Sequence, residues 1–186
     1  GNTYQGAKAI AIGYNAGNSG QAANSIVINA SSTTLENPTV SSLRIKPIRS
    51  AVGTTILMYD ASSGEVTHSG SIQESFSTTN GATGVTALDC STGNIHYLTA
   101  PAGDITANFT NLGLTAEYAT NLTVIINQGA TPYEVTAVQI GGAAQTIEWQ
   151  GGLAPTGNAN GIDSFSFTIL NDGGSFVVLG QMVDFT

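Results

Sequence analysis

Charge is what this 186-residue chain has least of: Asp, Glu, Lys and Arg together make up 9% of it. Hydrophobic residues make up 41%, so the solvated surface must be built largely from Ser, Thr, Asn, Gln and Gly. That mixture excludes intrinsic disorder, which needs low hydrophobicity and high net charge. Helix formers such as Lys, Arg and Glu are scarce and glycine is frequent, at 23 residues. The balance argues against helices and for short strands with many turns. A single cysteine, Cys90, excludes an intrachain disulfide. It lies in "ALDCS", a strand-like segment, where it reads as a small buried hydrophobe rather than a nucleophile. No apolar run approaches the roughly 18 residues of a membrane-spanning helix, and the first residues lack the pattern of a secretory signal. The chain opens on Gly without Met, so it is expected to be a piece of something longer.

Positive charge is rarer still. Lys8, Arg44, Lys46 and Arg49 all lie in the first 50 positions, which hold one acid, Glu36, and so net 4 - 1 = +3. The remaining 136 positions carry 12 - 1 = 11 acids and no Lys or Arg. Such a surface repels nucleic acid and anionic membrane, so neither nucleic-acid binding nor membrane insertion is expected. It suits cations, but solvated acids that keep a β-rich protein apart from its copies are the plainer reading.

Catalytic chemistry is also sparse. Neither His68 nor His96 has a second His, a Cys or a carboxylate at metal-ligand spacing. Asp104 and Glu117 are an example of a carboxylate pair that distant strands can bring together for glycoside chemistry, but nothing in the sequence marks them. "GNANGID" at 157–163 has one acid and no closing Glu, so turn chemistry explains it better than a calcium loop. No phosphate-binding glycine loop is present. We therefore expect no catalytic residue, no metal site and no cofactor. Glycosylation-type triplets begin at Asn29, Asn108 and Asn121. Chance supplies such matches in a chain this rich in Asn and Thr.

What is there is strand pattern. "AIAIG" at 9–13 aligns with "SIVIN" at 25–29, so Ile10 meets Ile26 and Ile12 meets Ile28 at an offset of 16. Ile alternating with small residues is a one-sided strand. Its recurrence at a fixed short interval is how a chain builds a β-solenoid or β-roll. Two such coils cannot bury a core alone, so neighbouring coils or other chains must supply the burial. An ordinary β-hairpin with a long Gly/Asn loop is the alternative. "DASSGE" at 60–65 is a turn within a hairpin-like unit, with Asp for an Asx-turn and Gly for positive φ. Pro47, in "RIKPIR", suits an edge or a connector. From residue 76 onward, about eight strand-like segments follow one another, from "VTALDCS" to "SFVVLGQMV". "NDGG" at 171–174 is a strong hairpin signal and "GG" at 141–142 a weaker one. This is the pattern of an antiparallel β-sandwich or jelly roll.

The expected fold class is thus all-β: a short β-solenoid over residues 1–32, a connector or neck with a β-hairpin over 33–75, and a β-sandwich knob over 76–186. Trp149, the only tryptophan, lies between glycine clusters, and Tyr133 follows "GATP" beside a loop. Aromatic faces with amides nearby hold sugar rings. Trp149 and Tyr133, with Asn158 and Asn160 on a neighbouring loop, are therefore the candidate glycan-binding residues. Burial of Trp149 in the core or between subunits is the competing reading.

The coil segment resembles the head repeats of trimeric autotransporter adhesins over residues 6–30. Residues 54–182 resemble the C-terminal regions of cyanophage tail-fibre-like virion proteins. The second resemblance rests on "TTILMYDASSGEVTHSGS", "NFTN", "INQGATPYEVTAVQIGGAAQTIEWQGGLAPTGNANGIDSFSFTIL" and "GGSFVVLGQ". It implies a fibre or related appendage of a phage particle, built as a homotrimer with a β-rich tip; taken with the order of zones and the polar, uncharged surface, the expected partner is host polysaccharide or lipopolysaccharide. It transfers no functional residues one by one. A binding tip without catalysis, a structural or decorating fibre without a receptor, and a polysaccharide-degrading tailspike are the three functions this order of zones admits.

Overall fold

Alternation of side chains across a pleated strand decides which residues meet, and two different alternations divide this chain. In a computed structural model, residues 4–50, 56–71 and 73–185 are described. The fold is all-β, and the only helical pieces among these residues are 3-10 turns at Cys90–Thr92 and Gln150–Gly152. Among the described residues, no helix is long and apolar enough to cross a membrane. The chain divides into two compact units, Gly1–Ser71 and Ile72–Thr186.

In the first unit, β1 (Ile10–Gly13), β3 (Ile26–Asn29) and β5 (Leu43–Lys46) form one parallel sheet. Strands β2 (Ala16–Gln21) and β4 (Leu35–Asn37) pair in a second parallel sheet. Ile10 lies opposite Ile26 and Ile12 opposite Ile28, the register read from the offset of 16. A third row follows, because Ile26 pairs with Leu43 and Ile28 with Ile45. The stacked pairing therefore runs past residue 32, as far as Lys46.

These aliphatic stacks do not face the interior of the unit. Ile10, Ile12, Ile26, Ile28, Leu43 and Ile45 are all exposed, from 36% to 55%. On the central strand, Val27 and Asn29 point inward instead and are buried. A Cβ on Gly13 would collide with the Asn29 carbonyl, so β1 lies close on β3; apart from Val27 the interior of the unit is polar, with Gln21, Ser25, Asn29 and Asn37 buried. It is held by amide side chains rather than by an oily core. Asn29 Nδ2 donates to the carbonyls of Tyr14 and Thr33, each at 2.7 Å. Asn37 Nδ2 donates to the Ser42 carbonyl at 3.2 Å, and Gln21 Nε2 to the Ile10 carbonyl at 2.8 Å. Buried carbonyls at the turns are thus satisfied from within. The unit ends in a hairpin, β6 (Ile56–Tyr59) with β7 (Val66–Ser69). Asp60 Oδ1 accepts the Ser62 amide at 2.7 Å and Gly64 takes φ 75°, the expected turn. Thr54 and Thr55, the start of the segment quoted for the hairpin, lie outside the described residues.

In the second unit, the first six strands alternate between two sheets. β8 (Phe76–Asn80), β10 (Ile95–Thr99) and β12 (Tyr118–Asn127) go to a six-stranded sheet. β9 (Gly84–Asp89), β11 (Ile105–Thr110) and β13 (Val135–Ile140) go to a four-stranded one. β14 (Ala143–Gln145) closes the smaller sheet, and β16 (Ile162–Asn171), β17 (Phe176–Phe185) and β15 (Ile147–Trp149) complete the larger. The expected all-antiparallel knob is corrected here. The ladders β8–β10–β12, β9–β11–β13 and β15–β17 are parallel, and only β12–β16–β17 and β13–β14 are antiparallel. The reason is geometric. A short turn that crosses to the opposite sheet, as Gly81–Thr83 does, returns the chain in the same direction and so makes parallel neighbours. The corners stack as well, since the Ala102 amide donates to the Ala82 carbonyl at 2.9 Å.

Both sheets contribute inward residues to one core. Leu88, Ile105, Ala107, Phe109, Val135 and Val138 come from the smaller sheet. Leu98, Leu122, Val124, Ile126, Phe165, Phe167, Ile169 and Val178 come from the larger. The two expected hairpins are present. Asp172 Oδ1 accepts the Gly174 and Ser175 amides at 3.0 and 2.8 Å between β16 and β17. Gly141 and Gly142 take φ 57° and 87° between β13 and β14.

Candidate functional site

Strand β15 places Trp149 opposite Gly180 of β17. A Cβ at residue 180 would lie 2.8 Å from indole carbons, so the ring crosses the strand only because glycine is there. The indole packs on two core rings, with centroids 6.4 Å from Phe165 and 6.0 Å from Phe167. Trp149 is half-buried. Most of its surface is spent on the core, and its remaining edge borders an open groove of about 430 Å³. Ser166 and Thr168 of β16 and Leu179 and Gln181 of β17 form the wall, with Glu148 and Gln150 beside the ring. Glu148 is the one charged residue in this lining. A second, smaller groove runs from Trp149 past Leu153 and Pro155 to Met182.

Tyr133, Asn158 and Asn160 are brought together elsewhere. Gln128, one residue past β12, clamps the following loop: its Nε2 donates to the Tyr133 carbonyl at 2.6 Å and its Oε1 accepts the Tyr133 amide at 3.1 Å. The Asn160 amide donates to the Gly129 carbonyl at 2.9 Å. The Asn158 amide donates to Asp163 Oδ2 at 2.9 Å, closing the 157–163 loop as a turn. Neither groove bordered by Trp149 is lined by Tyr133, Asn158 or Asn160. The four sequence candidates are thus one groove residue and one separate loop cluster. Strand pattern did not point to the groove's own polar wall, Ser166, Thr168 and Gln181, because every strand here carries such residues.

The residues considered for catalysis are held apart. Asp104 Oδ1 accepts the Glu134 amide at 3.3 Å, next to the Tyr133 loop at the far end of β12. The Glu117 amide bonds the Asn171 carbonyl where β12 begins. β12 is 10 residues long, which separates the two carboxylates by roughly 30 Å, against the roughly 5–9.5 Å of glycosidase pairs. His68 is exposed on β7. His96 is fully buried; its Nδ1 shares a 2.8 Å hydrogen bond with Ser77 Oγ and its Nε2 has no partner. Burial holds its pKa below the ordinary value near 6.5, although nearby Asp89 pulls the other way. The Asp89 carboxylate is itself engaged by Asn111 Nδ2 and the Ser91 amide, at 3.0 and 2.9 Å. Burial pushes the Cys90 thiol up to about 11, away from the range of a nucleophile.

Among the described residues, no three His, Cys, Asp or Glu side chains converge as a metal cluster. No family model, no curated protein and no solved structure matches this chain.

Proposed function

We propose that the chain is the distal part of a virion appendage, a phage tail-fibre or spike tip, which assembles as a homotrimer and attaches to a host-surface glycan without catalysis. The observation that carries this reading is the pair of aliphatic rows, Ile10–Ile26–Leu43 and Ile12–Ile28–Ile45, turned outward on one sheet. Two rows of three β-branched or leucyl side chains in register form a flat apolar strip that water solvates poorly. Identical strips on further copies cover it by closed cyclic symmetry. In this proposal the first coils are a β-solenoid shaft end (1–32, continued by β4 and β5), 33–75 includes the connector, and 76–186 is a two-sheeted, sandwich-like knob.

The groove beside Trp149 supports the glycan partner. Its volume falls in the usual ligand range of roughly 300–1,000 Å³, and its wall offers hydroxyl and amide groups beside an aromatic edge. Three weak copies on one particle give avidity. The test is adsorption: labelled protein is mixed with host cells, with purified host polysaccharide or lipopolysaccharide as competitor. Saturable binding that the polysaccharide abolishes is expected, and absence of binding to any host cell refutes it.

A second reading has an observation of its own. The Trp149 ring is largely committed to Phe165 and Phe167, which favours a structural or decorating fibre with no receptor. Trimer formation without adsorption is the outcome that selects it.

A further inference from the structure

Asp163 is an anomaly of charge. It is fully buried, at 0% exposure, on the inward face of β16. Its Oδ2 accepts from Gln128 Nε2 at 2.8 Å and from the Asn158 amide at 2.9 Å, while its Oδ1 has no partner. Burying a carboxylate with one oxygen unmet is costly, and proteins normally answer with a cation or further donors. This unit has no lysine or arginine to answer with. Of the chain's 12 acids, all but Glu36, Asp60 and Glu65 lie beyond residue 71, leaving nine, and no Lys or Arg lies there.

The neighbourhood raises the cost. Asp184 lies directly opposite Asp163 in the β16–β17 ladder. Residues so paired share a face, with Cβ atoms about 4.5–5.5 Å apart, and like charges there are destabilising. Glu134 and Asp104 gather at the same end: Glu134 Oε1 accepts the Gly157 amide at 3.0 Å and Asp104 the Glu134 amide. The Asn158 side-chain amide is a second polar group there that is buried without a partner. Its orientation is interchangeable, because oxygen and nitrogen of an amide are assigned from partners.

We propose that Asp163 and Asp184 hold a hard divalent cation of the calcium class, with the Asn158 amide oxygen and water completing the shell. Two carboxylates with neutral oxygens suit calcium, whose coordination is irregular and all-oxygen, better than magnesium, which demands a near-ideal octahedron. Asp184 is exposed and gives the ion its route in; Asp163 anchors it from within. The cation removes the like-charge conflict and meets the unpartnered oxygen together. It also ties the 157–163 loop to the paired ends of β16 and β17. The site lies within the second unit and does not rest on glycan binding.

The test uses the whole chain, freed of metal with EDTA and dialysed. Calorimetric titration with calcium chloride is expected to give saturable binding of one ion per chain. The thermal midpoint is expected to rise with calcium and return on chelation. Asp163→Asn alters a fully buried residue on which folding itself depends, so Asp184→Asn, at an exposed position, is the decisive variant. It is expected to lose the calcium-dependent shift, while its midpoint in EDTA equals or exceeds that of the unaltered chain. No saturable heat and no shift up to about 10 mM calcium, tenfold above the weakest range of such sites, overturns the proposal. So does an Asp184→Asn variant that keeps the full shift.

Discussion

The Phe109 and Phe167 rings meet in the second unit with centroids 5.8 Å apart and planes at 63°, one from each sheet. Both are fully buried. Edge-to-face contact adds to area burial, so this pair pins the two sheets at their centre. Phe167→Ala is expected to cost about 3–5 kcal/mol. Trp149→Ala should fall at or below the lower end of that range, since the indole is only half-buried. Equilibrium denaturation of both variants checks the order. If Trp149→Ala leaves stability unchanged, the indole is free of the core and returns as a ligand platform.

His96 makes stability depend on pH. Burial depresses its folded pKa below the ordinary value near 6.5, so between those two values the unfolded chain binds more protons than the folded one. Stability from the neutral ring is then fully present above about pH 6.5 and is lost as pH falls below it toward the folded pKa. Denaturation midpoints measured from pH 7.5 downward are expected to drop across this window. His96→Gln should flatten that part of the profile; an unaltered slope in the variant assigns the loss to other groups.

Strand positions were legible because alternation and turn chemistry are local. The eight segments read beyond residue 76 all contain strands, and "NDGG" and "GG" turn where expected. β8 and β14 were not legible, since "FSTTN" and "AAQ" carry little apolar signal. Sheet membership was not legible. Phe76 pairs with Ile95, 19 residues on, and Ile95 with Thr123, 28 residues on. Unequal coils leave no repeat in sequence, and a turn that crosses between sheets looks like one that folds back. The side faced by Ile10 and Ile26 was equally hidden. Alternation says that one face is apolar, but not that Val27, Asn29 and further amide side chains take the interior and leave that face outward. At the candidate site, Trp149 was visible by composition. The Asp163–Asp184 pairing was not, because it depends on the register of two strands.

Cys90 should react slowly. Its thiol is half-buried and raised to about 11, and Sγ lies 3.8 Å from the Leu88 carbonyl. Alkylation by iodoacetamide near pH 8 is expected to be at least tenfold slower in the native protein than in denaturant, as the thiolate fraction falls about tenfold per pKa unit. Equal rates would show that the 3-10 turn carrying Cys90 is open.

Ile28 lies at the centre of the outward strip, between Ile12 and Ile45. Ile28→Asp adds a charge that an isolated chain tolerates at an exposed position but an apolar interface does not. The variant is expected to keep its β-sheet circular dichroism and to dissociate at concentrations where the unaltered chain is associated. Association unaffected by Ile28→Asp would place the interface elsewhere.

The central claim is that further copies of this chain cover the aliphatic rows of the first unit. Sedimentation equilibrium of the purified chain at micromolar concentration tests it most directly. A single species of three times the 18.9 kDa chain mass is expected. A stable species of 18.9 kDa, with Ile10, Ile26 and Leu43 left in water, would contradict it.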